Sequence, residues 1–225
     1  MSNLFFVTTD THHLVSALKT RQVLRREALR GLPGEPAEAI WVVEPRRDPD
    51  AGTELLVAAT YEAIGMGRHC VPVVEVQDRD GRRCLGRRYR SDWRTFASIA
   101  RPEGAGWAVD LPAALLRRDA ARIVLLDYLL ANPNRHSHSL LLDLEGRRLL
   151  AADHGLCLGQ EGPSLATCQK AGPMGDLGLT DQEMEEALSW GEGAQWAAER
   201  VLGARFGEVR ARLGLAVQDI VQGRK

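Results

Sequence analysis

Apolar positions fall in short clusters over the first hundred residues and in longer periodic runs after them. LFFVTTD (4–10) is an apolar start, VLRREAL (23–29) alternates as a strand does, and GLPGEP (31–36) punctuates it. AIWVVEP (39–45) has the β-branched and aromatic content of a buried strand that ends at Pro45. From Thr53 the period changes to a helical one. Leu55, Leu56, Ala59, Ala63 and Ile64 share one broad predicted face, which Gly65 and Gly67 bring to an end. CVPVVEVQ (70–77), the turn DRDG and RCLGRRY predict two strands of a hairpin.

The second half opens with a long helical pattern, PAALLRRDAARIVLLDYLLAN, that runs into Asn132 and Pro133. LLLD (140–143) and RRLLAAD (147–153) predict two short strands about the turn LEGR, and Asp153-His154-Gly155 closes the second. GPMGDLG reads as a link to a helix that Thr180 opens, with Glu183 placed for a capping box. Trp190, Trp196 and Phe206 are expected to anchor the last helices to one another, with Leu179, Met184 and Leu188 on the same packed surface. The sum is an α+β chain with a small β-rich part, residues 1–105, and a mainly helical part, residues 106–225.

The size, 225 residues, suits one large domain or two small lobes. The 29 Lys and Arg nearly cancel the 30 Asp and Glu, so whole-chain charge does not suggest a nucleic-acid partner, and none is expected. Hydrophobic residues at 44% and charged residues at 26% describe a globular chain with a sizeable core. No apolar run reaches the length of a membrane span, and MSNLFFVTTDTHH lacks an export signal's basic start. The cysteines Cys70, Cys84, Cys157 and Cys168 show no CxxC pair, which points to reduced thiols and a cytoplasmic location. Arg82, Arg83, Arg87, Arg88, Arg90 and Arg94 form an arginine-rich stretch with two readings, a solvated rim or a patch that faces an anion.

The densest chemistry lies between Leu125 and Gly159. A loop between the long helix and the hairpin presents Asn132, Asn134, Arg135, His136 and His138, and the second strand returns Asp153 toward it. Hard oxygen donors so gathered suit a divalent ion. His136 and His138, with Asp153 and His154, also permit a transition-metal site and hence a metal-dependent hydrolase. On the bland reading, His138 is exposed and His154 braces its turn.

Asn132-Pro133-Asn134-Arg135-His136, followed by Ser139 and by Asp153-His154-Gly155 after a hairpin, resembles the bacterial branch of the phosphatidylinositol 3- and 4-kinase-like superfamily, near the HipA-like protein kinases. Asp127 also stands at the expected place in the helix. The resemblance implies a two-lobed kinase-like fold that binds ATP or ADP with magnesium. It assigns Asn134, Arg135 and His136 to the catalytic loop, Ser139 and Asp153 to the metal, and Glu44, Glu54 and Asn132 to the cofactor.

Three positions depart from the pattern. Asn134 stands where the family has the Asp that receives the attacking hydroxyl's proton. Ser139 stands where it has an amide or histidine ligand, and Glu44 where it has the strand lysine. The expectation is a degenerate kinase-like protein with weak or absent nucleotide binding that regulates or scaffolds a protein partner. The alternatives are an active ATP-dependent kinase acting on a small-molecule or protein hydroxyl, and the hydrolase.

Overall fold

A computed structural model describes residues 27–30, 39–45, 50–77, 83–90, 93–96, 113–159 and 162–222. Strands β1 (Glu27–Arg30), β2 (Ala39–Pro45), β3 (Val73–Gln77) and β4 (Arg83–Arg90) form an antiparallel sheet in the order β1-β2-β4-β3. Helix α1 (Asp50–Ala63) lies between β2 and β3 in the chain. The expected LFFVTTD segment, the GLPGEP turn and the boundary near residue 105 fall outside the described residues. The fold is α+β, as the hydrophobic pattern predicts.

Helix α1 does not bury the face its leucines suggest. Thr53, Glu54, Val57, Thr60, Tyr61 and Ile64 are buried, at the i, i+3, i+4, i+7 spacing of a single stripe. Leu55 and Leu56 are only half-buried, and Ala59 and Ala63 are exposed. A helix turned by hydrophobicity alone would not bury a carboxylate. This one does because Glu54 finds donors inside, described below. Gly65, at φ +77°, ends the helix in the left-handed conformation a side chain disfavours, and Met66 N returns to Tyr61 O at 2.8 Å.

Beyond the small sheet, β5 (Trp93–Thr95) pairs with β6 (Leu140–Asp143), which pairs with β7 (Arg148–Ala151), all antiparallel. The sequence pattern predicts only the β6–β7 hairpin. The third strand escaped notice because three residues are too short to show alternation. The hairpin carries an unbroken apolar run because both its faces are covered. Leu140, Leu142, Leu149 and Ala151 join the main core, while Leu141, Leu150 and Ala152 meet Val71 and Trp93 on the other side. Cys70 bridges Ala151 in parallel, and Val71 N donates to Ala151 O at 2.9 Å, so the segment after α1 docks on the hairpin.

The long helix α2 (Ala113–Leu129) is buried over nearly its whole last three turns. Short helices α3 (Leu165–Lys170) and α4 (Pro173–Leu177) follow, and α4 occupies the stretch expected as a plain link. Gly172 at φ +48° admits the turn before it, with Pro173 at the helix start. Helices α5 (Asp181–Leu202) and α6 (Phe206–Gln222) complete the helical layer.

Met184, Leu188 and Phe206 are buried as expected and Leu179 is partly buried, but Trp196 is 70% exposed and anchors nothing. Trp190 packs partly against the core and receives the Arg122 guanidinium 5.1 Å from its ring centre.

The predicted capping box is present. Thr180 Oγ1 accepts from Glu183 N at 3.3 Å, and Glu183 Oε2 accepts from Thr180 N at 2.8 Å. Thr180→Ala removes one half of this exchange and should destabilise the fold by about 1 kcal/mol. A chemical denaturation midpoint unchanged from wild type would contradict it.

Candidate functional site

The loop after α2 is built on one carboxylate. Asp127, near the end of that helix, is buried and receives Arg135 Nε on Oδ2 and Arg135 Nη2 on Oδ1, both at 2.8 Å. Asn132 Nδ2 adds a third bond to Oδ1 at 2.7 Å, and Asn132 N reaches Asp127 O at 2.7 Å. The Asn132 Oδ1 then accepts from Asn134 N at 3.1 Å, fixing the start of the loop. Arg135 Nη1 spans the carbonyls of Ser139 and Ala152, each at 2.7 Å, and so ties the loop to both strands at the hairpin's open end. Burial pulls the guanidinium's pKa down, but the Asp127 charge and hydrogen bonds outweigh it and the net shift is upward.

Asn132 and Arg135 are therefore scaffold in this geometry, buried and turned away from solvent. Asn134 is exposed at the loop's crest, and His136 is half-buried beside it. His136 Nδ1 accepts from the backbone N–H groups of His138 and Ser139, both at 3.2 Å, which assigns its proton to Nε2. Burial lowers its pKa, against the opposing pull of Asp153. The Ser139 side chain is buried, and its hydroxyl accepts from His136 N at 3.0 Å and donates to His136 O at 3.1 Å. A hydroxyl so engaged faces its own turn.

On α1, Glu54 is 1% exposed. Its Oε1 accepts from His154 N at 2.7 Å and from Arg87 Nη2 at 2.8 Å. The same arginine nitrogen stands 3.9 Å from Asp153 Oδ1. Asp153 is 54% exposed at its side chain and held at φ +60°, a left-handed conformation in which aspartate is among the better-tolerated residues. Glu44 lies on β2 with Leu85 as its strand partner, two residues along β4 from Arg87, which pairs with Val42.

Arg87 was legible only as one member of an arginine-rich stretch. The stretch divides: Arg87 turns in to Glu54, Arg90 pairs with Glu145, and Arg94 is exposed. The signal that could have singled it out is its place in mid-strand between Val42 and Val73.

His154 lies wholly inside. Its Nδ1 faces Arg135 Nη2 at 3.4 Å, its Nε2 is 3.8 Å from Cys70 Sγ, and its ring centre is 5.3 Å from that of Tyr61. Burial and the Arg135 charge hold its pKa well below the usual range. His138 is exposed, with its ring centre 6.0 Å from that of His136. His154 is thus sequestered from the surface His138 occupies, and among the described residues no three His, Cys, Asp or Glu side chains are grouped to hold a metal. Burial raises the thiols of Cys70 and Cys157, and pushes Cys168 up to about 12 despite Lys170 two residues away.

For magnesium the donor set is thin but workable. Asp153 offers one accessible carboxylate, and the ion commonly fills its remaining positions with phosphate oxygens and water.

Two outcomes follow from this arrangement. Asp127→Ala would strand the Arg135 charge inside the protein and should cost about 3–5 kcal/mol, read as a lowered denaturation midpoint. Burial holds the His154 pKa well below its ordinary value in the folded chain, whereas the unfolded chain protonates it below about pH 6.5. Stability should therefore hold above that pH and fall as the pH drops below it, with burial of His69 and His136 acting in the same direction. Denaturation midpoints that match at pH 7.5 and 5.5 would contradict this.

The family model for phosphatidylinositol 3- and 4-kinases matches residues 107–181, a span that holds α2, the loop and the hairpin. Among solved structures, the chain is similar to one in the Shewanella oneidensis MR-1 toxin–antitoxin complex of HipA, HipB and operator DNA. There the TM-score is 0.45 at 12% identity, over 88% of this chain and 63% of that one. It is also similar to CtTel1 in its open conformation, with a TM-score of 0.44 at 12% identity, over 87% of this chain and 11% of that one. It thus spans less than two thirds of either. No curated protein matches it. Through its helix, loop and hairpin, the chain is similar to the phosphatidylinositol 3- and 4-kinases over that third of its length.

Proposed function

We propose that the protein is a degenerate kinase-like regulator or scaffold, which holds a nucleotide weakly at most and does not transfer its phosphate. The observation that carries this reading is Asn134, exposed on a loop in which the side chains of Asn132, Arg135, His136 and Ser139 are bound up in structure. An amide there can orient a hydroxyl but cannot take its proton, and general-base assistance is worth about 10²–10⁴-fold. The second deficit compounds the first, since the Ser139 hydroxyl is committed to the His136 backbone, which leaves the metal role to the exposed Asp153 carboxylate.

Arg87 alters one part of the expectation. With Glu44 in the lysine's place on β2, the cleft is short of a cation at that position, yet the guanidinium on β4 pairs with Glu54. That favours retained nucleotide binding over its complete loss. The loop and Asp153 then act as a ligand-binding surface, and a protein partner reads the bound or free state. The cytoplasm is the proposed setting. Among the described residues, no helix is long and apolar enough to cross a membrane.

The test is capture of the native partner, incubation with ATP and magnesium, and intact-mass analysis of every component. Folded Asp153→Asn serves as the control. Masses unchanged in both samples, with the partner retained, are expected. A phosphate-sized increase on a partner or small-molecule acceptor, lost in D153N, would establish the active kinase instead.

A further inference from the structure

We infer that Arg87 is the residue that meets the phosphates of a magnesium nucleotide in this cleft, a role displaced from β2 to the neighbouring strand. The inference rests on the nucleotide-binding part of the proposed function and assigns it a residue.

A carboxylate as buried as Glu54 needs a cation close by, and Arg87 Nη2 supplies one at 2.8 Å. Arg87 also reaches the surface: its side chain is 13% exposed and its Nη2 stands 3.9 Å from the exposed Asp153 carboxylate. The guanidinium thus lies between the buried acid of α1 and the exposed Asp153 acid that follows β7. Its planar fork of donors is the geometry that suits phosphate oxygens.

The charge balance selects the form of the ligand. Glu54 and Asp153 carry two negative charges against the one positive charge of Arg87. A bare polyphosphate would meet the exposed Asp153 carboxylate beside that guanidinium, a like charge that opposes it. A phosphate that brings magnesium to Asp153 would meet Arg87 with that repulsion offset.

Glu54 also fixes the direction in which the guanidinium points. Its Oε1 holds His154 N and Arg87 together, so the cation is aligned with the turn that carries Asp153. The backbone of that turn is itself anchored, because His154 is enclosed by Tyr61, Cys70 and Arg135. Arg87 and Asp153 therefore approach a ligand as one unit.

The experiment is calorimetric titration of the full chain with adenosine and with ADP in magnesium, comparing wild type, Arg87→Lys and the double variant Glu54→Gln with Arg87→Met. The double variant removes both charges together, so no buried carboxylate is left unbalanced. Wild type should bind ADP more tightly than adenosine. The double variant should lose that phosphate increment, a drop of at least about tenfold for ADP, with adenosine affinity unchanged. R87K keeps the charge without the fork and should retain part of the increment.

An increment preserved in the double variant would overturn the role of Arg87 and leave the nucleotide cleft standing. Loss of adenosine binding along with ADP binding would make Arg87 a purely structural residue. Equal affinity for adenosine and ADP in wild type, or no binding of either, would overturn the inference together with the nucleotide part of the proposed function.

Discussion

The Asp127–Arg135 pair is the contact on which the rest of the site depends. One carboxylate at the end of α2 takes three side-chain donors, and the arginine it holds reaches the carbonyls that flank the hairpin's open end. The Ala152 carbonyl gains a charged donor, and the Ser139 carbonyl, already bonded to Ala152 N at 2.9 Å, gains a second; a buried acceptor left unmet costs about 1–3 kcal/mol. A buried ion pair is a weak source of net stability, because desolvation of both charges offsets their attraction. Its value here is geometric. Helix, loop and hairpin are separate elements, and this pair sets their relative positions before any ligand arrives.

A second node, Glu54, joins the small sheet to that assembly. Oε1 receives a backbone amide from the DHG turn and a guanidinium from β4, so α1, the sheet and the hairpin meet at one atom. The other oxygen, Oε2, has no hydrogen-bond partner among the described residues. A helix that buries Glu54 gives up apolar burial on Leu55 and Leu56, which are left half-buried. Placing a charge at the cleft thus outweighs maximal burial for this helix.

Much of the architecture was legible where each element carries its own pattern. β2, α2, the β6–β7 hairpin and the Thr180 capping box all stand where periodicity and turn residues place them. The orientation of α1 was not legible, because its inward face is chosen by donors on β4 and after β7, 33 and 100 residues away in sequence. Arg87 was obscured for the same reason: nothing local separates it from Arg88 or Arg90, and only the sheet register turns it toward Glu54. Trp196 misled in the opposite sense, since a large aromatic in a helical run reads as core when its neighbours are unknown. Order along the chain revealed the loop residues; pairing across it decided which of them reach solvent.

The hairpin's two dry faces bear on how its register is chosen. In an ordinary sheet, a slip by one residue throws every leucine into water, and that penalty alone enforces alignment. Here a slip would exchange the residues of one apolar layer for those of the other, Leu140 and Leu142 for Leu141, Leu149 for Leu150, at little hydrophobic cost. The alignment must come from polar anchors. Asp143 supplies one at the turn, accepting from Gly146 N at 2.7 Å and pairing with Arg148 at 2.7 Å. Arg135 supplies the other at the open end. Asp153 is thus aimed by two charged clamps acting on a sliding, greasy ribbon, and the position of the cleft's acid is an electrostatic choice between two packings that hydrophobicity scarcely tells apart.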